Sequence, residues 1–247
     1  MELFYGQIME ATNHGVIEKQ VLEENKKTLD TCIDQAFRKF YKIDPNKKIS
    51  YKGQWLVVKN IVGQFAERII QKDLLYAPFV LLAMEKRAWE VKMKLDVKGS
   101  PSVLMDGIID RIDQKGSVIR IVDYKTGKDI VNMKGSAGQL FQKEFHNKAA
   151  MQTLFYAYLF YKNSNFSEGE VRIVPGLYNR NTLFGEDSAF GLKRNNKIIE
   201  NAIPEFFEFE EGLRKTLEEM FDPEIPFQQT RDLKNCQYCS FNSICYR

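Results

Sequence analysis

The sequence predicts an α/β fold, a mixed central sheet flanked by helices, and three observations predict it. Apolar residues recur at helical intervals from Ile17 to Tyr41 and again from about Gln54 to Leu75. After Ala77-Pro78 the spacing shortens to that of strands. Two strand-like runs then flank a short polar break and are followed by one helix and one further strand.

The first helical stretch is carried by Ile17, Val21, Leu22, Leu29, Ile33, Phe37, Phe40 and Tyr41, and Pro45-Asn46 separates it from the second. Phe79 to Met84 is a short apolar run, and Trp89, Val91, Met93 and Leu95 then alternate with Glu90, Lys92 and Lys94. Val103 to Asp113 and Ser117 to Lys125 flank Gln114-Lys115-Gly116, which reads as a hairpin turn. A linker rich in Lys and Gly (Thr126 to Gly138) leads to a helix from about Lys143 to Lys162 and a strand from Glu170 to Tyr178. Asn179 to Asn196 reads as a surface loop or lid. Pro204 opens a last helix to about Met220, which Asp222-Pro223 ends. The expected organisation is a helical N-terminal part (1–76), a core (77–220) and a cysteine tail (221–247).

Composition is that of an ordinary globular protein of 247 residues, and a formal charge of +3 is too small to argue for nucleic acid by itself. No apolar run approaches the roughly 20 residues that span a bilayer, so no membrane partner is expected and the cytoplasm is the default location. Three of the four cysteines crowd into Cys236-x2-Cys239-x5-Cys245, a spacing suited to a metal or cluster rather than to stapling a secreted fold.

The chemistry concentrates in the hairpin. If Gln114 pairs with Ser117, Asp110 lies opposite Ile121 and one diagonal step from Asp123, roughly 7 to 8 Å away, close enough for both carboxylates to reach one divalent cation. Lys125 shares that face because strand side chains alternate. Two aspartates and the carbonyl of Tyr124 make a partial oxygen shell for Mg²⁺ or Mn²⁺, and the ammonium of Lys125 can orient a water or offset charge growing on a phosphate. An arbitrary Asp-x-Lys is most often a solvated polar face. Here both acids end apolar strands, Ile108-Ile109 before Asp110 and Ile121-Val122 before Asp123, where unpaired carboxylates are costly.

Gly107-Ile108-Ile109-Asp110-Arg111-Ile112-Asp113 followed by Ile121-Val122-Asp123-Tyr124-Lys125-Thr126-Gly127 resembles the Gly-x-x-Asp-Arg-x-Asp and Asp-Tyr-Lys-Thr-Gly motifs of RecB-like and AddB-like nucleases of the PD-(D/E)XK superfamily. The resemblance implies a restriction-endonuclease-like core in which Asp110 and Asp123 ligate the metal and Lys125 is the catalytic lysine. Gln152-Thr153-Leu154-Phe155-Tyr156 is similar to the family's Gln-x-x-x-Tyr, which implies that Gln152 and Tyr156 position the substrate strand or the catalytic shell; the bland alternative is a capping Gln and a packing Tyr. Gly63-Gln64-Phe65-Ala66-Glu67 puts Glu67 in the slot of an early metal-binding His. The favoured alternative is that this His precedes Met1 in a longer parent and that Glu67 is an ordinary exposed helix residue. Glu85 is a further candidate acid near the site.

The tail resembles the AddB-like cysteine triplet, which implies a 4Fe-4S cluster in the full-length parent, with zinc as the competing metal. Cys32 stands upstream as a possible fourth ligand, but its place between Leu29 and Ile33 favours core packing and leaves the set incomplete. The expected function is metal-dependent hydrolysis of DNA, as an exonuclease forming the C-terminal part of an AddB-like repair and recombination protein with a helicase-nuclease partner subunit. Two rivals stay open: a nuclease-fold DNA-binding module whose site has decayed, and a cysteine-based metal or redox module.

Overall fold

A computed structural model describes residues 1–12, 15–44, 46–87, 89–167, 169–185, 190–237 and 239–245. In chain order the elements are α1 (Glu2–Ala11), β1 (Val16–Ile17), α2 (Lys19–Asn25), α3 (Leu29–Tyr41), α4 (Gln54–Tyr76), β2 (Phe79–Arg87), β3 (Val91–Lys94), β4 (Ser102–Met105), β5 (Ile108–Lys115), β6 (Val118–Tyr124), β7 (Asn132–Met133), α5 (Lys148–Lys162), β8 (Arg172–Tyr178), α6 (Arg180–Phe184), β9 (Lys193–Arg194), β10 (Lys197–Ile198) and α7 (Phe206–Phe221).

The central sheet has five strands in the order β1-β2-β5-β6-β8, antiparallel except for the β6–β8 pair. One face packs on α1, α3 and α4 through Phe4, Tyr5, Ile33, Phe37 and Ile70, which join Phe79 and Leu81 of β2. The other face carries Ile112, Ile119, Ile121 and Ile173 against Leu154 and Tyr158 of α5 and Phe206 and Phe209 of α7. The mixed α/β architecture expected from the sequence is therefore present, and β8 runs parallel to β6 because α5 supplies the crossover between them.

Several boundaries differ from expectation. The first helical stretch is divided: Val16–Ile17 pairs with β2, and a 3₁₀ turn at Lys26–Thr28 separates α2 from α3. The region 1–76 therefore contributes a strand as well as helices. The break sits in Asn25-Lys26-Lys27-Thr28, which offers no apolar side chain to keep one continuous helix on the core. Helix α1 was not foreseen. The helix expected from Lys143 begins at Lys148, where the side chain of Asn147 caps it by accepting from the Ala150 amide at 3.0 Å. Inside the expected loop 179–196 lie α6, opened by an Asn179–Thr182 capping box, and β9. Pro45, Tyr238 and residues 186–189 of that expected lid lie outside the described residues.

The β5–β6 register is also corrected. Lys115 pairs with Val118 and Gln114 with Ile119, so the turn is Gly116-Ser117 rather than Gln114-Lys115-Gly116. Gly116 has φ +58°, which a type II′ hairpin turn requires at its first central position. The shift moves every partner by two residues, so the side chains keep their faces.

Candidate active site

The ladder between β5 and β6 ends at the Arg111–Val122 pair, one step short of Asp110 and Asp123. The next amide of β6 that faces β5 belongs to Tyr124, and it donates to Asp110 Oδ2 at 2.8 Å. On its other side, the Lys125 amide donates to the Tyr178 carbonyl of β8 at 2.9 Å. A trans peptide points its N–H and C=O in opposite directions, so the Tyr124 carbonyl faces the open end of the β5–β6 ladder, on the side of Asp110.

Asp123 is 3 % exposed. Its Oδ2 lies 3.1 Å from Lys125 Nζ, within ion-pair distance, yet makes no aligned hydrogen bond. Burial, with the neighbouring Asp110 charge, pushes its carboxyl up to about 6 despite Lys125. Asp110 is also raised, by burial first, against the Tyr124 amide and Lys125. Glu85 comes from β2: the pairs Met84–Arg111 and Lys86–Ile109 bracket it opposite Asp110. Its carboxyl is raised by desolvation and then by Glu2 and Asp110.

Asp110, Tyr124, Lys125, Thr126, Tyr178 and Glu85 line a cleft of about 370 Å³ whose opposite wall is α4, with Ile61, Val62, Phe65 and Ile69. The sequence reading missed this apolar wall and the contribution of Met1 to the same cleft. The wall was written in the helical period of α4, but nothing in the pattern says which part of an apolar face stays open.

Gln152 and Tyr156 share one face of α5, as their spacing predicts, and bond to each other, Gln152 Nε2 donating to Tyr156 Oη at 2.8 Å. They are not among the residues lining the cleft. Tyr156 instead packs where Gly107 leaves room just before β5: a Cβ there would lie 3.0 Å from the tyrosine ring. Glu67 is exposed on α4 and is likewise not part of the lining.

Among the described residues no three His, Cys, Asp or Glu side chains are grouped to hold a metal ion. The hairpin site offers a different donor set: two carboxylates, one with a buried oxygen that no hydrogen bond satisfies, and a backbone carbonyl. Hard oxygen donors of this kind fit Mg²⁺ or Mn²⁺, which keep several waters of their own. Among the described residues the cysteines are not gathered into one group. Cys32 is buried in the α1–α3–α4 core with its Sγ 3.5 Å from Gln7 Oε1, while Cys236, Cys239 and Cys245 lie partly or fully exposed in the tail. In a thiol-labelling time course the three tail cysteines should react fast and Cys32 only as slowly as the chain opens. Four thiols reacting in one fast phase would contradict this packing.

No described helix is long and apolar enough to cross a membrane. No curated protein matches the chain. A family model described as the PD-(D/E)XK nuclease superfamily matches residues 1–246, and the chain belongs to that superfamily.

Proposed function

We propose that the chain is a Mg²⁺- or Mn²⁺-dependent deoxyribonuclease, with Asp110, Asp123 and the Tyr124 carbonyl as metal donors and Lys125 as the catalytic lysine. The observation that carries this reading is the buried Asp123 carboxylate, which stays raised to about 6 beside a second raised acid, Asp110, even with the Lys125 ammonium 3.1 Å from its Oδ2. A buried acid left in that state, beside a second raised acid, is a costly arrangement that a divalent cation would relieve.

The bound cation supplies Lewis acidity, which lowers the pKa of a water and offsets charge on a phosphodiester. The chain's own groups do the rest. Asp110 is held in place by the Tyr124 amide, so one of its oxygens is fixed and its orientation is set before any substrate arrives. Lys125, with its side chain 30 % exposed, reaches the cleft from the same segment and can stabilise negative charge growing on the phosphate. The apolar α4 wall narrows the solvent around that charge and strengthens its interaction with the lysine.

The finer reading is an exonuclease within an AddB-like parent that works beside a helicase-nuclease partner in repair and recombination. It is supported by the resemblance of the hairpin, the Gln152–Tyr156 helix and the cysteine triplet to those proteins, and it includes a 4Fe-4S cluster completed by a ligand outside this chain.

End-labelled single- and double-stranded DNA and, beside it, closed circular DNA, incubated with the chain and Mg²⁺, Mn²⁺ or chelator, test both levels. Metal-dependent loss of label from an end supports the exonuclease, cleavage within closed circles would replace it with an endonuclease, and no cleavage under any metal would overturn the proposal.

A further inference from the structure

Beneath the catalytic hairpin, on the face turned to α4, lie four buried charges that the proposed chemistry does not use. Asp73 of α4, Arg111 and Asp113 of β5 are fully buried, and Arg120 of β6 is 5 % exposed. Arg111 donates from Nη1 and Nη2 to the two oxygens of Asp73, at 2.6 and 3.1 Å, and from Nε to Asp113 at 2.8 Å. Arg120 donates from Nε and Nη2 to the two oxygens of Asp113, at 2.7 and 2.9 Å. Tyr5 of α1 adds its hydroxyl to Asp73.

Stability alone does not call for such a network. Replacing a buried ion pair with well-packed apolar residues is often neutral or stabilising, because desolvation opposes the Coulomb gain. What the network does have is reach into the site. Arg111 follows Asp110, so strand alternation sends its guanidinium to the opposite face, where Nη1 donates to Tyr124 Oη at 3.3 Å. The Tyr124 ring stacks on Tyr178, whose hydroxyl accepts from Arg120 Nη1 at 3.3 Å. Both rings are thereby pinned, and Tyr124 is the residue whose amide holds Asp110 and whose carbonyl faces the open ladder. Asp73 also lies on the helix whose Ile61, Val62, Phe65 and Ile69 form the opposite wall of the cleft.

We propose that Asp73 and Arg111 are positioning residues of the nuclease site: the buried pair clamps α4 to the hairpin and fixes Tyr124, so that the oxygen donors stand ready for the cation. The inference rests on the metal-holding role proposed for Asp110, Asp123 and Tyr124. It assigns a part in the site to Arg111 of the hairpin motif, whose guanidinium lies on the face opposite Asp110.

Two variants of the full chain test it. Tyr5→Phe/Asp73→Leu/Arg111→Met removes the pair and its tyrosine partner without leaving a lone charge, since Asp113 keeps Arg120. Tyr124→Phe removes only the hydroxyl that Arg111 holds. Thermal midpoint, calorimetric Mn²⁺ affinity and the Mn²⁺ concentration for half-maximal cleavage are measured for each. The apolar triple variant should unfold cooperatively yet bind Mn²⁺ about 10- to 100-fold more weakly, the range seen when groups that orient metal ligands are lost. Tyr124→Phe should shift affinity in the same direction by less, with its midpoint little changed. Folded variants with wild-type Mn²⁺ affinity would overturn the inference and leave the nuclease reading intact; if the triple variant does not fold, Tyr124→Phe decides by the same criterion. A wild type that binds Mn²⁺ without cleaving DNA would sink the nuclease reading, and the affinities would still decide the positioning role.

Discussion

Asp123→Asn should abolish cleavage and, with metal removed, make the protein more stable at neutral pH. The loss of activity follows from the donor set: an amide cannot supply the anionic oxygen that faces Lys125, and removing a charge-stabilising group from a preorganised site costs up to about a thousandfold. The gain in stability follows from the carboxyl, which burial and the Asp110 charge push up to about 6 in the fold from 3.8 for an unperturbed aspartate. A folded acid with a raised pKa holds its proton longer than the unfolded chain does, so metal-free stability falls as pH rises between those values and stays low above them. Moving the group from 3.8 to about 6 costs about 3 kcal/mol at neutral pH, and the Asn variant escapes that cost. Thermal melts in chelator, at about pH 4 and about pH 7, should show the variant gaining on the wild type only at the higher pH. A variant that still cleaves at the wild-type rate would remove Asp123 from the chemistry. One that shows the same difference in midpoint at both pH values would remove the buried-charge argument.

The β5–β6 hairpin was legible in the sequence because its two signals are local and redundant. Apolar residues preceding both Asp110 and Asp123 mark a buried end of a strand pair, and alternation then fixes which side chains share a face. The register error did no damage for that reason: pairing Lys115 with Val118 instead of Gln114 with Ser117 moves partners by two and preserves the face of every acid. Gly116 was the residue to weigh more heavily, since a glycine at the first position of a two-residue turn sets the loop. Helix α1 was missed because its buried residues, Phe4, Tyr5 and Ile8, span barely one turn, and its helicity is secured by packing on α3 and β2 rather than by a long periodic pattern. The charge network was hidden for a related reason. Asp73 follows Ile69 and Ile70 on the buried stripe of α4, which marks it as unusual, but no spacing rule says that its partner lies on β5.

Mn²⁺ should stabilise the wild type, leave Asp110→Ala unaffected, and lose its grip as pH falls through about 6. A cation that binds only the folded chain stabilises it by mass action, about 2.7 kcal/mol at a concentration 100 times the Kd. The wild type has more to gain than an ordinary acidic surface, because the cation offsets the burial and mutual repulsion that raise both Asp110 and Asp123. In Asp110→Ala one donor is gone and so is the repulsion, and the midpoint should not respond to Mn²⁺. Protons compete for the same oxygens. With Asp123 titrating near 6, each pH unit well below that value should weaken Mn²⁺ binding by about tenfold, while between about pH 7 and 8 the affinity should change little. Calorimetric titrations across that range read the dependence directly. Affinity that does not vary with pH, or that survives in Asp110→Ala, would place the cation somewhere other than between these two carboxylates.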